Sequence, residues 1–97
     1  METLVIIGAG GHGRVVADCA QLLGAYCKII FLDDCYNKSK KSGDWPIVGL
    51  VEDFPQYLKN SDYIVAFGNN RLREEANKKL EEANANIVSL FHPSATL

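Results

Sequence analysis

Three groups of residues in this 97-residue chain have types and spacing suited to holding a phosphorylated ligand. The first is Gly8-Ala9-Gly10-Gly11-His12-Gly13, in which Gly8, Gly10 and Gly13 fit G-x-G-x-x-G. It follows the apolar run Leu4-Val5-Ile6-Ile7 and precedes an amphipathic stretch. A glycine-rich turn between a buried strand and a helix aims backbone N–H groups and a helix N-terminus at one point, an arrangement that binds phosphate. The second group is Asp33-Asp34, about 20 residues beyond the turn, where a strand end offers carboxylates to ribose hydroxyls or base N–H groups. The third is Gly68-Asn69-Asn70, which combines a close-approach glycine, a polar side chain and another helix start.

Each group also has a plainer reading. The glycines serve turn geometry alone, the aspartates form an exposed turn pair, and Asn69 or Asn70 caps a helix. His12 either reaches a phosphate or sugar or is a loop residue without chemistry; both readings stay open. His92, before Pro93, reads as a linker residue. Adjacent side chains on a strand end point in different directions, which argues against Asp33 and Asp34 as a shared-proton acid–base pair.

The surrounding pattern supplies elements to position these groups. Thr3 to Ile7 is apolar without alternation, as in a strand covered on both faces. A helix is expected over 13–23, with Val15, Val16, Cys19, Leu22 and Leu23 as its buried stripe and Gly24 as a left-handed cap. A second strand is expected over 27–32. A polar loop follows over 35–46, then a short extended piece Ile47-Val48-Gly49 and a short helix or two turns over 51–58, interrupted at Pro55. A third strand is expected over 63–67. A helix over 71–83 carries Leu72, Ala76, Leu80 and Ala83 inward, and the pairs Glu74–Lys78 and Glu75–Lys79 on a solvated face. A fourth strand is expected over 87–91. This order predicts an α/β domain with a four-stranded parallel sheet, helices on both faces and right-handed crossovers. In such a sheet ligands lie beyond the carboxyl ends of the strands, so the three groups should meet at one crevice.

Composition narrows the function classes. The length allows one small domain. Hydrophobic content of 47% and charged content of 23% are ordinary for a globular chain. A net charge of −2, with Lys38-Ser39-Lys40-Lys41 as a solvated loop cluster, gives no nucleic-acid footprint. Cys19, Cys27 and Cys35 are odd in number and lack Cys-x-x-Cys spacing, so neither a disulfide framework nor a metal site is expected. Reduced thiols in a cytoplasmic protein fit, with Cys19 and Cys27 as small core residues. No apolar run approaches the roughly 18 residues of a membrane span, and the first segment lacks the features of a signal peptide.

Taken together, Gly8-Ala9-Gly10-Gly11-His12-Gly13, Leu32-Asp33-Asp34, Ala66-Phe67-Gly68-Asn69-Asn70 and His92-Pro93-Ser94-Ala95 span the chain in order. In this the chain resembles the N-terminal domain of bacterial sugar acetyltransferases of the sialic-acid O-acetyltransferase and UDP-amino-sugar N-acetyltransferase type. The resemblance implies a Rossmann-like, three-layer domain that binds a nucleotide sugar. It also implies a following left-handed β-helix of hexapeptide repeats that trimerises, binds acetyl-CoA and carries the catalytic histidine. The chain stops at Leu97, where those repeats are expected, so it reads as the N-terminal domain alone: monomeric, inactive by itself, with no catalytic residue and no cofactor of its own. By the same resemblance Gly10, Gly11, His12 and Gly13 lie at the phosphate and sugar side, Asp33 and Asp34 face the uridine, and Gly68 and Asn69 flank the nucleotide. Acetylation of the bound amino sugar would serve synthesis of surface-glycan precursors. Two other readings compete. One is an NAD or other dinucleotide-binding regulatory module, favoured by the glycine and acid spacing. The other is an interaction domain that kept the fold and lost the ligand.

Overall fold

A computed structural model describes residues 3–24, 26–38 and 40–88. Strand β1 (Thr3–Ile7) is apolar on both faces, and this places it at the centre. Leu4 and Ile6 enter one core, Val5 and Ile7 the other, and all four are essentially inaccessible. It pairs in parallel with β2 (Lys28–Leu32) and β5 (Ser61–Val65). The sheet continues outward to β4 (Trp45–Gly49) and β3 (Lys41–Ser42) on one side and β6 (Asn86–Ile87) on the other, in the order β3-β4-β2-β1-β5-β6. All pairings are parallel except the antiparallel β3–β4 hairpin.

Helix α1 (Gly11–Leu23) covers one face and α2 (Asn70–Glu82), with the 3-10 helix Val51–Tyr57, covers the other. The α/β, three-layer architecture therefore matches the expectation, but the sheet has six strands rather than four. The difference arises mainly in the stretch read as a polar loop. Ser42 pairs with Trp45 across the two-residue turn Gly43-Asp44. Gly43 has φ +61°, as the first position of a tight hairpin turn requires. β5 begins and ends two residues before the expected span. β6 spans Asn86–Ile87, with Val88 beyond it; residues 89–91 of the expected last strand, with His92-Pro93-Ser94-Ala95, lie outside the described residues.

The buried stripe of α1 also differs. Gly13, Val16, Ala17, Cys19 and Ala20 face the sheet, whereas Val15, Leu22 and Leu23 are exposed. The reason is proximity. A Cβ at Gly13 would sit 2.1 Å from the Gly8 carbonyl oxygen, so the helix approaches the sheet closely enough to select small residues for its inner face. On α2, Ala76 and Leu80 are buried as expected, while Leu72 is exposed. The ion pair on its outer face is Arg71–Glu75, at 3.6 Å. Cys19 is buried, but Cys27 precedes β2 and is exposed rather than in the core.

Candidate functional site at the carboxyl edge of the sheet

Because β1, β2 and β5 run parallel, the segments that follow them emerge at the same edge. β1 ends in Gly8, whose φ of +110° turns the chain out of the sheet. The Gly8 N–H donates to the Leu32 carbonyl, joining the turn to β2. Gly10 then caps α1 without any side-chain bond, and its carbonyl accepts from the Arg14 N–H. The N–H groups of the first helical turn thus have no partner within the helix, and they point out of its N-terminus. Gly11 and His12 are exposed in this turn; Gly13 is buried against Gly8.

Asp33 follows β2 and reaches back to this turn. One carboxylate oxygen accepts from the Ala9 N–H and the other from the Cys35 N–H, each at 2.7 Å. On the other side of Ala9, the buried Ser42 hydroxyl donates to its carbonyl at 2.6 Å. The peptide groups flanking Ala9 are therefore held from β2 and from β3 at once. These segments enclose a cleft of about 340 Å³, whose walls include Ala9, Gly10, Arg14, Asp33, Lys41 and Ser42. Cys35 also lines it, and the neighbouring Asp33 carboxylate pushes its thiol pKa up.

Asp34 points elsewhere. It accepts from the Val51 N–H at 3.3 Å and lines a smaller hollow of about 100 Å³ between the 3-10 helix and α2, with Phe67, Leu72 and Lys79. The two aspartates therefore diverge, as their adjacency on a strand end required. Gly68 and Asn69 follow β5. The Phe67 ring lies 3.1 Å from where a Cβ on Gly8 would sit, so this segment touches the glycine turn. Gly68 is exposed, and Asn69 uses its side-chain oxygen to accept from the Leu72 N–H as the cap of α2.

The expected crevice is thus resolved into parts. Gly10 and Asp33 share the larger cleft, Asp34 lines the smaller one, and Gly68 and Asn69 line neither. Sequence reasoning missed Arg14, Lys41 and Ser42. Lys41, expected in a solvated lysine cluster, stands on β3 and lines the cleft. The Gly43-Asp44 dipeptide between extended residues was the available signal. Among the described residues there is no group of three or more His, Cys, Asp or Glu placed to hold a metal, and no helix long and apolar enough to cross a membrane.

Known proteins share this architecture. The chain is 36% identical to the acetyltransferase domain of PglB from Neisseria gonorrhoeae FA1090, solved with acetyl coenzyme A; the match has a TM-score of 0.85 and covers 95% of this chain and 44% of that one. It is 29% identical to the H141N mutant of perosamine N-acetyltransferase from Caulobacter crescentus, solved with CoA and GDP-perosamine, with a TM-score of 0.77 over 97% of this chain and 44% of that one. A UDP-N-acetylbacillosamine N-acetyltransferase of Bacillus subtilis (strain 168) is 26% identical over 98% of this chain. The chain spans 45% of that curated relative's length. Residues 3–80 match the PglD N-terminal domain, and with that match covering most of its length the chain belongs to the PglD N-terminal domain family.

Proposed function

We propose that this domain binds a nucleotide sugar, a UDP-amino sugar, as the acceptor for acetyl transfer from acetyl-CoA in synthesis of bacterial surface-glycan precursors. The observation that carries the reading is the cleft at the glycine turn, where Gly10, Asp33, Arg14 and Lys41 stand together. Its volume lies at the small end of the roughly 300–1,000 Å³ typical of ligand pockets. That suits one nucleoside diphosphate with the sugar projecting outward, rather than a whole dinucleotide. Relatives of this chain include an acetyltransferase named for UDP-N-acetylbacillosamine and one solved with GDP-perosamine, which supports the ligand class.

In this reading the N–H groups of Gly11, His12 and Gly13, with Gly10 at the cap, face phosphate and sugar. Asp33 and Asp34 face the ribose and base, and Gly68 and Asn69 flank the nucleotide. The domain contributes binding and orientation, which converts the meeting of amine and thioester into a near-unimolecular event. The acetyl donor and the base that deprotonates the amine belong to the rest of such an enzyme, a homotrimer in this reading; the 97-residue chain alone is expected to be monomeric and inactive. Isothermal titration with UDP, UDP-amino sugars and NADH tests the reading. Saturable UDP and UDP-sugar binding without NADH binding is the expected result. NADH binding without UDP binding would instead establish a dinucleotide module, and binding of none would leave an interaction domain.

A further inference from the structure

We propose that Arg14 and Lys41 grip the diphosphate of the ligand, and that Ser42 is a positioning residue that holds the strand carrying Lys41 to the glycine turn. The proposal rests on the nucleotide-sugar reading above. Charge is the first argument. Asp33 lines the same cleft, and a carboxylate there repels a diphosphate. Arg14 and Lys41 are the cations lining that cleft, two positive charges against one negative, and they come from different elements, α1 and β3. The Arg14 stem runs beside the hairpin turn, with its Cδ 3.4 Å from where a Cβ on Gly43 would sit. The Arg14 side chain therefore passes close to the hairpin turn. Arg offers a planar fork and Lys a mobile point charge, a complementary pair for phosphate oxygens.

Placement is the second argument. β3 is an edge strand of two residues, paired only with β4 in the sheet order, too short to fix Lys41 by its ladder alone. The Ser42 hydroxyl ties β3 directly to the Ala9 carbonyl, one residue before Gly10, while Asp33 holds the Ala9 N–H. This bond therefore ties the strand that carries Lys41 to the turn at which the phosphate is proposed to sit.

Calorimetry with UDP, and NMR titration with uridine, on the wild-type chain and on Arg14→Gln, Lys41→Gln, Ser42→Ala and Ser42→Thr separate the possibilities. Each charge-removing variant should weaken UDP about tenfold and leave uridine affinity unchanged. Raising the salt should cost these variants less UDP affinity than it costs wild type. Ser42→Ala should lower the UDP-to-uridine affinity ratio and Ser42→Thr should restore it; a merely structural role would lower the melting temperature and leave the ratio alone. If wild type binds UDP and the Arg14 and Lys41 variants bind it equally well, or lose UDP and uridine together, the clamp falls and the nucleotide reading stands. An unchanged ratio in Ser42→Ala removes the positioning role. If wild type binds neither ligand, the nucleotide reading falls and takes the clamp with it.

Discussion

Gly11 and Gly13 belong to one motif and do different work. A Cβ on Gly13 would meet the Gly8 carbonyl at 2.1 Å and the Phe31 ring at 3.0 Å, so the residue is fixed by packing. Gly13→Ala must push α1 off the sheet. Overpacking of this kind costs about 1–3 kcal/mol, which in a domain of this size lowers the melting temperature by roughly 5–20 °C. Around Gly11 nothing lies within 4 Å of an added Cβ. Gly11→Val should therefore keep the wild-type melting curve and lose UDP-sugar binding in the calorimeter, because its side chain projects where the phosphate is proposed to sit. Retained affinity in that variant would move the phosphate elsewhere. Asp33 shows the same double character. The carboxylate proposed to face the nucleotide also accepts two backbone N–H groups, so the residue builds the cleft that it lines.

Among the elements, α2 depends on its first residue outside the helix. Asn69 accepts from the Leu72 N–H at 3.1 Å, and no acidic side chain stands in the first turn to share that work. Asn69→Ala should cost about 1 kcal/mol, visible as a melting temperature lower by roughly 4–8 °C. An unchanged melting curve would show that the cap contributes nothing. The 3-10 helix is held from two sides. Asp53 reaches back to the Leu50 N–H at 2.9 Å, and Asp34 accepts from Val51. Pro55 is the fifth residue of this segment, where its lack of an N–H interrupts the run of backbone bonds. The hairpin β3–β4 is the element hardest to read from the chain. Its strands are short, its first strand is made of Lys and Ser, and its apolar residues divide between the two cores, Trp45 and Ile47 under α1 and Val48 on the other face.

Across the whole molecule, two tyrosines report on the fold from opposite faces of the sheet. Tyr63 is fully buried, donates to the Phe54 carbonyl at 2.6 Å and meets the Phe54 ring edge-on. Tyr26 donates to Asp62 at 2.7 Å, and Asn86 donates to the same carboxylate from β6. Burial pushes both phenols up from 10.0 to about 12, with the Asp62 bond adding to the effect at Tyr26. The fold thus favours the neutral phenol. Its contribution is complete below pH 10 and is lost as pH rises toward 12, where the unfolded chain ionises more readily. Circular dichroism melts from pH 8 to 12 should show stability falling across that window, and Tyr26→Phe should make the fall shallower. A flat profile would contradict the burial of both groups.

The amino-acid order was enough for the central strands, both long helices, the helix cap at Gly24, a cap at Asn69 or Asn70 and the three-layer plan. These rest on local rules: apolar runs, helical spacing and capping chemistry act over a few residues and leave their pattern in the chain. It was also enough to mark the glycine turn and Asp33 as candidates for one cleft. Only the folded arrangement decided which face of α1 is buried, since closeness at Gly13 outweighed the larger side chains at Val15 and Leu22. The same arrangement sent Asp33 and Asp34 to separate hollows and carried Ser42, 33 residues distant, onto Ala9. Contacts of that kind depend on how far apart two elements settle in space, and no local pattern encodes that distance.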